Sequence, residues 1–291
     1  MRKIILITMA AIFAVGVMAQ QKMRVWKNNS LAYEEDVTQI DSITFYDEFE
    51  GALNGEFSVS STQKVRFSKG NVQYDATNQK WRFAERQYDY TANTSYFDQA
   101  GARGWIDMFG WGTGDNPLNN NNNPSSYSSF VDWGVNFSNE EKGIVWRTLS
   151  VEEWNYLFST RDNHESLLAR ANIEGVNGLI LFPDEYNLNN IQIQLGETSS
   201  FLANTLNEQQ WNLMQDQGAV FLPAAGWVNN DQYQAPGIYD FNVNITYWTS
   251  TPSGNSLTYA YGCNDNHLYI FADSGNERSD KHSVRLVINV K

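Results

Sequence analysis

Apolar and polar residues alternate with a period of two along much of this chain, and that period belongs to strands. The alternation is clearest in FSVS (57–60), KVRFS (64–68), NVQYD (71–75) and KWRFA (80–84). The first pair flanks a short polar turn and the second pair flanks ATNQ, which predicts two hairpins in a sheet with one buried face. Further on, GLILFP (178–183), AVFL (219–222), YWT (247–249), the region 259–271 and VRLVINV (284–290) are apolar blocks that read as strands. Two segments switch to helical spacing. Ser150-Val-Glu-Glu153 forms a capping box ahead of Trp154, Leu157 and Phe158, which fall on one face. Thr205-Leu-Asn-Glu208 reads as a second box, with Leu206, Trp211, Leu213 and Met214 as apolar positions and Gly218 as the stop. Two main helices against antiparallel sheets predict an α+β fold.

Upstream, MRVWKN (23–28) and DSITFY (41–46) read as two strands, with turns at NNS and VTQID. This unit, 20–46, is too short to bury a core of its own. DEFEGALNG (47–55) reads as a linker, leaving 56–291 as the main domain. Between Tyr88 and Asn139 the periodicity stops. That stretch holds GWIDMFGWGTGDNP (104–117) and five consecutive Asn at 119–123, and reads as long irregular structure over the sheet. Loops of such length inside a compact domain tend to carry function.

The first residues read as an address. Arg2 and Lys3 precede an apolar run, 4–17, and Val17-Met18-Ala19 matches a small-residue cleavage site, so 1–19 is expected to be a secretory signal peptide. The run is shorter than the roughly 20 apolar residues a membrane span needs. The expectation is an exported protein, periplasmic, cell-surface or extracellular, with no membrane insertion once the peptide is removed. Removing Arg2 and Lys3 from 20 basic and 33 acidic residues moves the formal charge from -13 to -15. A field of that sign repels phosphates, so nucleic acid is not an expected partner. Cys263 is the single cysteine, which excludes an internal disulfide and leaves stability to a core supplied by ten Trp and many other aromatics.

Several blocks in order carry a family resemblance: KVRFSKGNVQYDATNQKWRFA, GWIDMFGWGTG, WRTLSVEEWNYLFSTR, VNGLILFPDEY, GAVFLPAAGW, YWTST and SVRLV. Over about 57–287 the chain resembles the bacterial C-type-lectin-like fold, as in Fibrobacter succinogenes major paralogous domains and formylglycine-generating-enzyme-like proteins of exported Bacteroidota type. The resemblance implies fold more than activity, because one scaffold of this kind carries oxidation chemistry, glycan binding or neither. Enzymes of the formylglycine-generating type use a cysteine pair, which this chain lacks. The related three-His iron site finds only His164, His267 and His282, without ligand spacing. No catalytic residue is therefore expected, and the implied function is a non-catalytic domain that binds a glycan or protein ligand. The alternatives are a structural or accessory component of a surface assembly and a diverged oxidase.

Candidate binding chemistry lies in the aperiodic stretch and its neighbours. Trp105, Trp111, Trp133 and Trp227 sit in or beside loops, where an exposed indole would stack on a sugar ring or peptide. Asp115-Asn116-Pro117 is similar to the acid-amide-Pro element of calcium-dependent lectins, and Asn264-Asp265 to their Asn-Asp pair. No cofactor is expected beyond a possible Ca²⁺ on Asp115, Asn264 and Asp265, although Asn-Pro and Asn-Asp are also ordinary turn sequences. Asp107, Asp115 and Asp132 lie near aromatics, but a glycosidase pair would need a separation that sequence does not give. Cys263 and His267 are about 13 Å apart on a continuous strand and would meet only through a tight turn at 264–266.

Overall fold

The computed structural model describes residues 21–27, 30–40, 51–91, 102–187, 192–196, 199–229, 237–253, 257–264 and 267–290, with the backbone alone at 27, 237, 257–264 and 267–275. The expected signal peptide, the DSITFY strand and Asp265 lie outside the described residues. The chain divides into two compact units, Met1–Asp47 and Glu48–Lys291.

In the first unit β1 (Lys22–Lys27) pairs antiparallel with β2 (Ser30–Asp36), with a register shift between Val25 and Trp26. The strand partner is thus SLAYEED, a segment whose acidic end hides its strand character. Charge closes the pair instead: Lys22 and Arg24 both reach Glu34, at 2.7 and 2.5 Å.

The second unit opens with β3 (Phe57–Ser58), β4 (Lys64–Phe67), β5 (Val72–Asp75) and β6 (Lys80–Phe83). The short β7 (Trp105–Ile106) and β8 (Met108–Phe109) follow, then β9 (Trp146–Thr148), α1 (Val151–Ser159), β10 (Leu168–Ile173) and β11 (Val176–Leu181). The rest of the unit is β12 (Thr205–Leu206), α2 (Glu208–Asp216), β13 (Val220–Pro223), β14 (Trp227–Asn229), β15 (Gly237–Tyr239), β16 (Asn244–Pro252), β17 (Leu257–Asn264), β18 (His267–Glu277), β19 (His282–Ser283) and β20 (Leu286–Asn289). Most pairings are antiparallel, so the fold is α+β. Both expected hairpins form, β3 with β4 and β5 with β6. Two sheets organise the unit, β3-β4-β20-β9 and β18-β17-β16-β19-β8, while β12-β10-β11-β13 forms a third. The last strand, β20, pairs with β4 on one side and β9 on the other, and so closes its sheet between early and middle segments.

Helix α1 starts as its sequence dictates. The Ser150 hydroxyl accepts from the Glu153 N–H, and the Ser150 N–H donates to the Glu153 carboxylate at 2.9 Å. Trp154, Leu157 and Phe158 enter the core beside Phe57, Phe67, Leu179 and Tyr247. Helix α2 corrects its expectation by two residues. Thr205 and Leu206 are drawn into β12 beside Asn172 and Ile173, so the cap falls to Asn207, whose box partner is Gln210. Leu213, expected on the apolar face, is exposed, whereas Trp211 is buried. The expected linker also ends earlier. Leu53 donates its N–H to the Phe67 carbonyl at 2.8 Å, and Gly55 is buried against Gly218, which takes a φ of +92° past the end of α2.

Candidate functional site

The aperiodic stretch is irregular but packed, and its glycines explain how. A side chain at Gly110 would strike the Tyr127 ring, and one at Gly114 the Asp132 carbonyl. Gly112 adopts φ +66° with the Phe130 backbone 2.7 Å from where a Cβ would stand. FGWGTG is therefore a ribbon laid tightly on 127–132, stitched by N–H donation from Gly114 to Val131 and from Val131 to Gly112, both 3.0 Å. This close approach fixes Trp111. Its indole N–H donates to the Thr249 carbonyl at 2.9 Å, and the Arg278 guanidinium lies 4.3 Å over its ring.

The Asn run has a structural logic too. The side-chain oxygen of Asn119 accepts from the Asn121 N–H, Asn121 from Asn123 and Asn123 from Ser125, at 3.2, 2.9 and 3.1 Å. Successive Asx turns of this kind let a backbone with no ladder partner meet its own hydrogen bonds. The Tyr127 hydroxyl lies 2.9 Å from the Asn121 carbonyl, and the buried Lys281 ammonium donates to the Asn119 carbonyl at 2.8 Å. Arg278 donates to the Tyr127 carbonyl at 3.1 Å. Two cations from the turn between β18 and β19 thus pin the Asn-rich segment from beneath.

Between the pinned segment and the glycine ribbon lies an open cleft of about 210 Å³. Trp111, Thr113 and Tyr127, all buried, form its floor. Asp115 and Asn116 stand on one rim, Ser126, Ser128 and Ser129 on the other, and all five are exposed. Among the described residues these five side chains make no hydrogen bond to the protein, so their polar atoms face solvent. Among the described residues Asp115 is the one charged member of the lining.

Of the residues singled out from sequence, the structure brings Trp111, Asp115 and Asn116 together at this cleft. The indoles, however, are not stacking platforms. Trp111 is 2% and Trp133 0% exposed, enclosed by Phe130 and neighbouring rings, which corrects their expected role as ring-stacking contacts. Trp105 is half-buried with the Arg82 guanidinium 3.8 Å from its ring centre. Trp227 is half-buried away from the cleft lining, near-parallel to Tyr239 at 5.3 Å and His282 at 6.1 Å. Each Trp thus already has a protein partner on its ring. Of the possible Ca²⁺ set, the side chain of Asp115 alone is described. The Ser-rich rim and Tyr127 were not among the expected residues, and the SSYSS run that follows the Asn run after Pro124 was the signal for them.

The other acids have structural work. Both oxygens of Asp107 accept from Thr91, at 2.6 and 2.8 Å, and burial raises its pKa. Asp132 caps Gly134 and accepts from the Thr148 N–H and hydroxyl, again with its pKa raised by burial. His164 contacts the Arg161 carbonyl, and His282 is buried against Trp248. Asn264 pairs with His267 across β17 and β18, with a register shift between Gly262 and Asn264, and the side chains of Cys263 and His267 lie outside the described residues. Among the described residues no group of three or more His, Cys, Asp or Glu is arranged to hold a metal ion, and no helix is long and apolar enough to cross a membrane.

No family model matches this chain, and no curated protein or solved structure matches it.

Proposed function

We propose that this protein is an exported, non-catalytic ligand-binding domain of C-type-lectin-like, formylglycine-generating-enzyme-like architecture. The cleft between 111–119 and 126–131 would be its recognition site for a glycan or protein ligand. The observation that carries the reading is the set of unengaged rim groups, Asp115, Asn116, Ser126, Ser128 and Ser129, over a floor pinned by Lys281 and Arg278. A rim of free donors and acceptors on a rigid base is what selective polar recognition requires. The architecture is supported by the blocks that carry the resemblance: Tyr247–Thr249 of YWTST are buried in β16, and SVRLV is buried throughout as it runs from the end of β19 into β20, where a shared scaffold would keep them.

The test is binding of the secreted protein to broad glycan and host-protein arrays, repeated with Asp115→Ala and Ser128→Ala. Both positions are exposed, so the variants keep the fold. A ligand bound by the wild type and lost by the variants supports the reading, and no ligand on either array sinks it. Loss of an oxidase activity on Cys263→Ser would support the diverged-enzyme alternative instead.

The accessory-component reading has one observation of its own. Val25, Trp26, Leu31 and Tyr33 of β1 and β2 are exposed, and a two-stranded ribbon is marginally stable alone. Copurification with an outer-membrane fraction, abolished by deleting 20–46, would favour it.

A further inference from the structure

We infer that the cleft selects a single uncharged, hydroxyl-rich ring, a neutral pyranose of a glycan, and discriminates against acidic sugars. This rests on the proposed ligand-binding reading and narrows it to one substrate class. The first ground is chemical. The rim pairs an acceptor-only carboxylate (Asp115) with an amide (Asn116) and three hydroxyls that both donate and accept (Ser126, Ser128, Ser129). Such a mixed set matches vicinal ring hydroxyls, which also donate and accept. A peptide ligand would look for an apolar anchor pocket, yet Trp111 and Tyr127 present almost no exposed surface.

The second ground is charge. Recognition of a carboxylate or sulfate needs an accessible guanidinium, ammonium or cluster of free N–H groups. The two cations behind the floor, Arg278 and Lys281, are 6% and 0% exposed, and they donate to the carbonyls of Tyr127 and Asn119. An acidic sugar would therefore meet Asp115 with no accessible cation among the described lining residues to offset it, on a chain of formal charge -13. The third ground is size. About 210 Å³ lies below the roughly 300–1,000 Å³ of sites for drug-sized ligands, and suits one ring with its neighbours in solvent.

Affinity electrophoresis of the purified protein through gels holding soluble β-glucan, mannan or xylan, against alginate, polygalacturonate or heparin, tests this. At least one neutral polysaccharide is expected to retard the wild type. The acidic ones should bind about tenfold more weakly or worse, with the gap narrowing in high salt as Asp115 is screened. The variants Ser126→Ala and Ser128→Ala should lose the retardation while keeping the wild-type melting temperature. Stronger retardation by acidic polysaccharides, abolished by those variants, overturns the inference and leaves the cleft as a ligand site. Neutral retardation that survives both variants overturns it too, and leaves a glycan binder that uses another surface. If no polysaccharide retards the protein, the inference fails, and the array experiment alone then decides the broader reading.

Discussion

The Lys281 ammonium donates to the backbone carbonyl of Asn119 at 2.8 Å from a position with no exposed surface. Burial pulls its pKa from the ordinary 10.5 down to about 8. The folded state therefore releases this proton earlier than the unfolded state. Below pH 8 the burial cost stands in full, and between about 8 and 10.5 the unfolded chain binds more protons, so stability contributed at this site rises with pH. Relative to Lys281→Met, the wild type should gain up to about 3 kcal/mol across that window. Urea titrations of both proteins from pH 7 to 10 check this, and parallel curves would rule it out.

His282 carries the same logic into acid. It is buried against Trp248 and Trp227, among the described residues neither ring nitrogen has a hydrogen-bond partner, and burial pushes its pKa down to about 3. The unfolded state takes up a proton near pH 6.5 that the folded state refuses, so stability is lost as pH falls from 6.5 toward 3. His282→Phe should melt at or above the wild-type temperature at pH 7. Its advantage should grow by about 3 kcal/mol by pH 4. Calorimetry at the two pH values reads the difference directly.

Arg161 is a hub of main-chain carbonyls. It donates to Leu157, Phe182 and Leu167 at 2.8, 2.9 and 3.2 Å and lies 3.3 Å from Asp184. Arg161→Met would take the guanidinium from the buried Leu157 and Phe182 carbonyls, while Leu167 keeps the Phe182 N–H and Asp184 keeps Ser58 and Lys64, and should cost about 2–4 kcal/mol in urea unfolding. A loss below about 1 kcal/mol would mean that water replaces the guanidinium.

Gly134 and Gly104 separate crowding from backbone strain. An added Cβ at Gly134 meets the Trp146 carbonyl, a group that cannot rotate away, while Gly104 has φ +67° and nothing within 4 Å. Gly134→Ala should cost about 3 kcal/mol or more, and Gly104→Ala about 1–2 from its left-handed conformation alone. Equal melting-temperature losses for the two would refute the distinction.

Local rules made much of this fold legible. Period-two segments gave the β3–β4 and β5–β6 hairpins, and the Ser150 box needs only residues within one turn. Non-local competition decided the rest. Two overlapping cap patterns, at Thr205 and at Asn207, are both permitted by spacing, and pairing of Thr205 with Asn172 selects the later one. Leu168–Ile173 is buried almost throughout, so no alternation marks it as a strand. At the site, Asp115 and Asn116 were visible as loop polar residues. Whether an indole is open was not, because Thr249, Arg278 and Phe130 come from distant segments to cover Trp111.

The position of β20 between β4 and β9 sets an order on assembly. The buried side chain of Arg285, just ahead of that strand, meets Asn71 across 214 residues of sequence, and this sheet stays in two pieces until β20 arrives. Until then β4 and β9 each present an open edge, the feature most prone to pairing with the wrong strand. Contacts of such sequence separation also slow folding. Refolding yield should therefore respond more to protein concentration and dwell time in dilute denaturant than to final stability, since the hazard lies in the waiting edges and not in the finished sheet.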